Sequence, residues 1–250
     1  MFEIFAQMDL VQKKNYSSEP VALKNGDVDV WQVAVDQDSS CAAKFFQILS
    51  DDERHRADSF RNEDDRNRYV TVRGTLRTVL ADYLNRTPKS IYFSYNSYGK
   101  PSVPSDIFPI QFNVTHSRDV ALFAIVREQQ VGIDVEFIDR SFPVMKTAHR
   151  IYSPRVFTEL QTLNFDQQTP AFFQHWTLTE SYLKAVGTGF SNSDGHHLNV
   201  SHPAASDVSP RTFRSEDGRN WTFVNLPVGS KYKASLTVEG KIGGIRYHRI

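Results

Sequence analysis

The chain has 250 residues, 40% hydrophobic and 12% aromatic, so it can bury a sizeable core as one large domain or two compact halves. Its 29 basic residues balance 29 acidic ones, which argues against a protein that coats nucleic acid or an anionic membrane. The single cysteine, Cys41, excludes an intrachain disulfide, and the first residues lack the basic region of a secretory signal. We therefore expect a cytoplasmic protein with neither nucleic acid nor membrane as a partner.

The first half of the chain is predicted to contain strands and helices in alternation. Strands are indicated by apolar and polar residues in turn, and helices by apolar residues spaced by three and four. Ser50 and Glu53 form a capping-box pattern at one helix start. The predicted elements are a strand over 27–35, helices over 51–60 and 63–84, a turn at 98–101, and two strands over 110–126 joined around 115–119.

The second half is predicted to repeat this order loosely. Ser153 followed by a proline is a typical helix start. The predicted elements are a strand over 131–137, helices over 154–163 and 170–186, strands near 197–200, 221–225 and 231–238, and irregular segments over 137–153 and 191–215.

Corresponding elements of the two halves are separated by about the same number of residues. It separates the strands at Val30 and Ile133, and also the helix starts at Ser50 and Ser153. We therefore expect an α+β protein with two similar halves, residues 1–128 and 129–250. Clefts between such halves are common ligand sites.

Acidic residues in the second half form a pattern that suits a metal ion. Asp134 and Glu136 share one face of the predicted strand, and Glu180 and Lys184 lie one turn apart on the predicted helix. Three carboxylates beside a lysine suit Mg²⁺ that holds a substrate phosphate. The alternative is a solvated strand face and an ordinary surface ion pair, which each feature taken alone favours.

Four short motifs carry a resemblance to a known family. They are Gly-Lys-Pro at 99–101, Asn-Val-Thr-His-Ser at 113–117, Gly-Ile-Asp-Val-Glu at 132–136 and Trp-Thr-Leu-Thr-Glu-Ser-Tyr-Leu-Lys at 176–184. Over residues 27–190 the chain resembles the 4′-phosphopantetheinyl transferases of the larger single-chain class. The resemblance implies two α+β halves related by a pseudo-twofold axis, with the active site in the cleft between them.

The resemblance also implies a reaction and its residues. The enzyme would transfer the 4′-phosphopantetheine group of coenzyme A to a serine of an apo carrier protein and release adenosine 3′,5′-bisphosphate. Asp134, Glu136 and Glu180 would bind Mg²⁺, for which Mn²⁺ can substitute. Glu180 would also act as the catalytic base, with Lys184 beside it as a catalytic group. The residues implied to bind coenzyme A are Arg56, Lys100, Thr115, His116 and Lys184, with Arg68 and Arg73 as weaker candidates.

The implied partner is an apo acyl carrier protein or peptidyl carrier domain, which is small, acidic and helical. We expect part of its docking surface around Phe142 and Met145, and a monomer, because the fold already contains two halves. Thr179 departs from the family motif, which usually has lysine before Glu180. Two other functions stay open: another Mg²⁺-dependent phosphotransferase or nuclease, and a non-catalytic binding protein.

Overall fold

The structure is a computed structural model that describes residues 10–12, 23–35, 39–104, 109–188 and 208–250. The strands in these ranges form a five-stranded sheet, a four-stranded sheet and a two-stranded ribbon. Helices pack against the two larger sheets, so the predicted α+β class is confirmed. Neither of the two long helices nor any other helix in the described ranges combines the length and the apolar character that a membrane span needs.

The first half follows the predicted order of elements. α3 agrees with its prediction at both ends, and α2 begins at the predicted capping box, where the N–H of Ser50 donates to Glu53 Oε2 at 3.0 Å. The helix α1 was not predicted. The elements are β1 (Leu10–Gln12), β2 (Asp27–Ala34), α1 (Ser39–Phe46), α2 (Asp51–Asp58), α3 (Glu63–Leu84), a 3₁₀ turn (Pro88–Ser90), β3 (Ser94–Tyr95), β4 (Pro101–Ser102), β5 (Ile110–Ser117) and β6 (Val120–Arg127).

The second half contains more regular structure than predicted. Its elements are β7 (Val131–Phe137), α4 (Val144–Ile151), α5 (Pro154–Gln161), α6 (Phe165–Val186), β8 (Arg211–Arg214), β9 (Asn220–Asn225), β10 (Tyr232–Glu239) and β11 (Gly244–Arg249). Ser153 caps α5 as predicted, since its side chain accepts the N–H of Val156. The predicted strand at 197–200 lies outside the described residues.

Four predictions of local structure were wrong. The segment 191–215 was predicted to be irregular, but β8 forms at Arg211–Arg214 by pairing with β9. The segment 137–153 is not irregular throughout, because α4 forms within it and packs against the aromatic side chains of α6. α6 begins at Phe165, before the predicted start, and contains Pro170 inside the helix. The strands β5 and β6 turn at residues 118–119, so residues 115–117 lie inside β5.

The two larger sheets share an order of elements. The five-stranded sheet runs β1-β11-β2-β6-β5, and the four-stranded sheet runs β7-β10-β9-β8. The runs β2-β6-β5 and β7-β10-β9 correspond, and two short helices and one helix of 22 residues follow the first strand of each. This recurrence supports the predicted pseudo-twofold relation. The predicted boundary at residue 128 falls between β6 and β7, while β11 pairs in parallel with β2.

The largest aliphatic cluster of the core lies between the two sheets. Buried side chains of β2, β6, β7 and β10 face one another there. α3 covers the outer face of the five-stranded sheet through a second cluster that includes Trp31, Leu76 and Phe123. α6 covers the outer face of the four-stranded sheet, so the layers follow the order helix, sheet, sheet, helix.

α6 packs on its sheet through small polar side chains. Thr177 Oγ1 lies 2.9 Å from Ser235 Oγ, and Ser181 Oγ lies 2.7 Å from Thr237 Oγ1, with all four residues buried. Gly132 of β7 leaves no room for a side chain here, because an added Cβ would lie 2.0 Å from the carbonyl oxygen of Ser181. The backbone of α6 therefore lies close to β7, which bears two of the predicted metal ligands.

Candidate active site

Asp134 is the buried centre of the candidate site, and only 2% of it is exposed. Its Oδ1 accepts hydrogen bonds from Lys184 Nζ at 2.5 Å and from Thr115 Oγ1 at 3.0 Å. Its Oδ2 is buried and has no hydrogen-bond partner among the described residues. Because buried polar atoms are nearly always paired, this oxygen points to a ligand that the described chain does not supply.

Glu136 and Glu180 lie within electrostatic reach of Asp134. Burial raises the pKa of Glu136 to about 7, and the charges of Asp134 and Glu180 add to the rise, against a hydrogen bond from Ser117 Oγ at 3.1 Å. Burial also raises the pKa of Glu180 and of Asp134, although the ammonium of Lys184 opposes both shifts. The three carboxylates therefore resist being charged together unless a further cation joins them.

The donor set fits a divalent cation by charge and type. Carboxylate oxygens are the ligands that Mg²⁺ prefers, Oδ2 of Asp134 has no partner among the described residues, and the carboxyl groups of Glu136 and Glu180 interact electrostatically with Asp134. In the described ranges, no three His, Cys, Asp or Glu side chains are already gathered as a metal-ligand cluster. The ammonium of Lys184 holds Asp134 instead. The types and charges of these residues thus match Mg²⁺.

Thr115 and Lys184 organise the carboxylates across the site. The sequence predicted that Lys184 shares a helix face with Glu180, and the structure pairs its ammonium with Asp134 of the neighbouring strand. Lys184 Nζ also lies 3.3 Å from Thr115 Oγ1, and that hydroxyl accepts the N–H of Val135 at 3.4 Å. The Thr115 hydroxyl, predicted to bind coenzyme A, therefore serves first to hold Asp134 in place.

β5 joins the free edge of β7 through side chains. Asn113 Oδ1 accepts the N–H of Ile133 at 2.9 Å, and Ser117 Oγ accepts the N–H of Phe137 at 3.0 Å. These contacts satisfy backbone donors that no strand pairs on this edge. The Asn-Val-Thr-His-Ser motif thus fastens the two sheets together, and His116 is its exposed polar residue.

His116 marks the cationic side of the site. The protein atoms around its ring and the positive charges of Arg68 and Lys184 lower the pKa of His116, and Asp65 opposes them. Arg68 extends from α3 and pairs with Asp65 at 2.7 Å, whereas Lys184 belongs to α6. Groups from both halves therefore act on one imidazole, and arginine, lysine and histidine together suit a phosphate group.

Lys100 and Arg56, the other two residues predicted to bind coenzyme A, differ from His116 in their contacts. Lys100 Nζ donates to the carbonyl oxygens of Val131 at 3.1 Å and Ala185 at 3.0 Å, and burial lowers its pKa to about 8. Arg56 is exposed on α2, with its guanidinium 6.0 Å from the ring centre of Phe60. No hydrogen bond or ion pair among the described residues joins Arg56 to the rest of the predicted site.

Arg73 belongs to a buried charge network. Its Nε lies 2.5 Å from Glu53 Oε1, and Glu53 Oε2 lies 2.6 Å from Arg77 Nε. Arg73 also donates to the hydroxyl of Tyr95. These contacts tie α2 to α3 and to β3, and they engage the guanidinium of Arg73 in the packing of the first half.

Gly132, Thr177 and Ser181 belong to the motifs quoted from the sequence, but sequence analysis gave them no role of their own. Gly132 sets the approach of α6 to β7, and the two hydroxyl residues bind the sheet beneath the helix. A signal was present, since Thr177 and Ser181 are small, polar and four residues apart, which places them on one helix face. That face adjoins the one that bears Glu180 and Lys184.

Comparisons with known proteins agree with this geometry. The model of the 4′-phosphopantetheinyl transferase superfamily matches residues 130–237, and the model of the 4′-phosphopantetheinyl transferase N-terminal region matches residues 35–128. The 4′-phosphopantetheinyl transferase HetI of Nostoc sp. is 31% identical over 225 residues, which are 88% of this chain and 91% of the relative. The 4′-phosphopantetheinyl transferase Sfp of Bacillus subtilis is 29% identical over 149 residues, 59% of this chain and 64% of the relative.

The chain therefore belongs to the 4′-phosphopantetheinyl transferase family. It is a transferase of the class that attaches phosphopantetheine groups to carrier proteins.

Proposed function

We propose that this protein transfers the 4′-phosphopantetheine group of coenzyme A to a serine of an apo carrier protein, depends on Mg²⁺ and releases adenosine 3′,5′-bisphosphate. The observation that carries the proposal is Asp134, whose Oδ2 is buried without a described partner while its Oδ1 binds Lys184. The carboxyl groups of Glu136 and Glu180 and the ammonium of Lys184 all interact electrostatically with one another or with Asp134. That arrangement suits a substrate whose pyrophosphate is held and stabilised at one place.

Each acidic residue has a proposed role. Asp134, Glu136 and Glu180 would hold Mg²⁺, for which Mn²⁺ can substitute. When bound, the ion supplies positive charge that stabilises the negative charge developing on the pyrophosphate. Glu180 is the proposed base for the serine hydroxyl, because bound Mg²⁺ and the ammonium of Lys184 would favour its ionised form, which can accept the proton.

Basic residues supply the proposed coenzyme A contacts. Lys184 is the proposed partner of the pyrophosphate, because its side chain is 30% exposed while its ammonium holds Asp134. His116 and Arg68 are the proposed partners of the 3′-phosphate. The positive charge of Arg68 on α3 is close enough to His116 on β5 to lower the pKa of the imidazole. Arg56 remains a prediction, since its exposed guanidinium has no contact with these groups.

The exposed side of α4 is the proposed docking surface for an acyl or peptidyl carrier domain. Phe142 is 38% exposed before the helix, and Met145 is half-buried on it. The residues that α4 turns to the surface are basic and suit an acidic helical partner, namely Lys146, His149 and Arg150. We further propose that the protein works as a cytoplasmic monomer.

Mass spectrometry of carrier domains tests the proposed function. The protein is incubated with coenzyme A, Mg²⁺ and a panel of apo carriers, and a gain of one phosphopantetheine group on the carrier serine is expected. Asp134→Asn should abolish the gain, whereas Glu159→Gln, an exposed acid on α5, should not. Nucleotide hydrolysis without carrier modification would favour another phosphotransferase or a nuclease, and no chemistry at all would favour a binding protein.

A further inference from the structure

One turn of the ribbon β3–β4 contacts both elements that bear the carboxylates. Lys100 Nζ donates to the carbonyl oxygen of Val131, the first residue of β7, and to that of Ala185 near the end of α6. Asn96 Nδ2 donates to the carbonyl oxygen of Gly187, which ends α6, at 3.0 Å. Three hydrogen bonds from one turn therefore join the start of β7 to the end of α6.

The helix carbonyls in this contact have no further helical donor. Ala185 lies in the last turn of α6 and Gly187 is its cap residue, and the last carbonyl groups of a helix have no donor within that helix. An ammonium is also favourable at this end, because the helix dipole is negative there. The ammonium of Lys100 is thus engaged by backbone atoms at fixed positions.

The turn itself is shaped for this contact. Asn96 Oδ1 accepts the N–H of Tyr98 at 3.0 Å and that of Lys100 at 2.9 Å. Gly99 completes the turn in the left-handed region, with a φ of 81° that glycine adopts without strain. Asn96 therefore fixes the backbone that presents Lys100 and at the same time caps α6.

We propose that Lys100 is a positioning residue for the transfer reaction, which sets the spacing between the strand and the helix that carry the three carboxylates, with Asn96 in support. The inference rests on the proposed function, but it assigns Lys100 a different task from direct binding of coenzyme A. If Lys100 bound the 3′-phosphate directly, replacing it would reduce the preference of the enzyme for coenzyme A over 3′-dephospho-coenzyme A. Positioning would change the turnover and the Mg²⁺ requirement instead.

Coenzyme A and 3′-dephospho-coenzyme A separate the two tasks. For Lys100→Met we expect kcat to fall about 10-fold or more, with more Mg²⁺ needed for half of the maximal rate. The ratio of kcat/KM for the two substrates should stay as in the wild type, and Lys100→Arg should regain most of the turnover. Arg68→Ala, at the proposed phosphate contact, should reduce that ratio. Lys89→Met, which replaces an exposed lysine, should change neither kcat nor the ratio.

A second measurement does not depend on activity. Mg²⁺ without coenzyme A should raise the unfolding temperature of the wild type, and this rise should be smaller in Lys100→Met. Asn96→Asp keeps the acceptor that shapes the turn but loses the donor to Gly187. It should shift the Mg²⁺ dependence in the same direction, and it lies in an exposed turn, where the change leaves the core intact.

The outcomes separate this inference from the proposed function. A lost preference for coenzyme A over 3′-dephospho-coenzyme A in Lys100→Met, or an unchanged kcat and Mg²⁺ response, would overturn the positioning role. A wild type that modifies no carrier would instead contradict the proposed function. The unfolding measurement with Mg²⁺ would still decide the role of Lys100 in that case.

Discussion

The ammonium of Lys184 lies 2.5 Å from Oδ1 of Asp134 and joins the helix of the site to its strand. The side chain of Lys184 is 30% exposed, whereas that of Asp134 is 3% exposed. One lysine therefore holds a buried acid and also faces the open side of the site. This double contact links the stability of the protein to its chemistry.

Replacing Lys184 with methionine should lower both the stability of the protein and its activity. The free energy of unfolding without Mg²⁺ should fall by about 2 kcal/mol, less than for a fully buried pair because the lysine is partly exposed. Carrier modification should fall about 100-fold, since a positive charge at the pyrophosphate is lost. Urea unfolding and a carrier assay measure these effects, with the exposed Lys44→Met as control. Wild-type values for both would contradict the role of this pair.

Replacing Gly132 with alanine should displace α6 from β7. The new Cβ would lie 2.0 Å from the carbonyl oxygen of Ser181 and 2.3 Å from the backbone nitrogen of Ala185, and neither atom can move without the helix. We expect a loss of about 3 kcal/mol in the free energy of unfolding, together with loss of turnover. Gly244→Ala is the matched control, because its nearest neighbour is a side-chain oxygen at 3.6 Å. Equal stability of the two variants would show that the close approach is unimportant.

Replacing Phe142 and Met145 with alanine should raise the KM for the carrier and leave the KM for coenzyme A unchanged. Both residues border the exposed side of α4, whereas His116 belongs to β5 and Lys184 to the last turn of α6. Phe142 also packs against Phe172, with ring centres 5.6 Å apart, so urea unfolding must show that the variant is folded. Steady-state kinetics with each substrate varied in turn provide the measurement. Equal increases in both KM values would argue against a docking surface here.

A buried network around Asp29 ties the last strand to the five-stranded sheet. Asp29 is fully buried, and Arg246 donates to its two oxygens at 2.6 and 2.8 Å, joined by the hydroxyl of Tyr83. Burial alone would raise the pKa of Asp29, but the imidazole of His248, whose Nε2 lies 3.4 Å from Oδ1, and the hydrogen bonds from Arg246 and Tyr83 outweigh it and lower the pKa below 3.8. The ionised carboxylate therefore stabilises the fold.

The stability that Asp29 provides should depend on pH. A carboxyl group with a lowered folded pKa contributes fully above its unfolded pKa, near 3.8, and loses the contribution as pH falls through the folded value. Asp29→Asn should therefore cost about 3 kcal/mol at pH 7 and less in strong acid. Urea unfolding of both proteins from pH 7 down to pH 2.5 measures the difference, with the exposed Asp64→Asn as control. A difference that is constant with pH would contradict the assignment.

Local sequence patterns predicted the elements that carry strong signals of their own. α3 was predicted at both ends because its apolar spacing is sustained over 22 residues. α4 was missed because Val144 and Ala148 are its only buried residues. That helix depends on contacts with Phe172 and Phe173, which are distant in sequence and so leave no local pattern. β11 was missed for the same reason, since it forms by pairing with β2.

The sequence by itself determined the family and the α+β class, and it predicted the three carboxylates of the candidate site, because motif spacing decides which side chains share a face of one strand or helix. Only the tertiary structure decided that Lys184 pairs with Asp134, that Thr115 supports that pair, and that Lys100 spans from β7 to α6. Those contacts cross between elements, and their distances depend on how closely the helix backbone approaches the strand. Gly132 sets that approach, and its effect is visible only when both elements are in place.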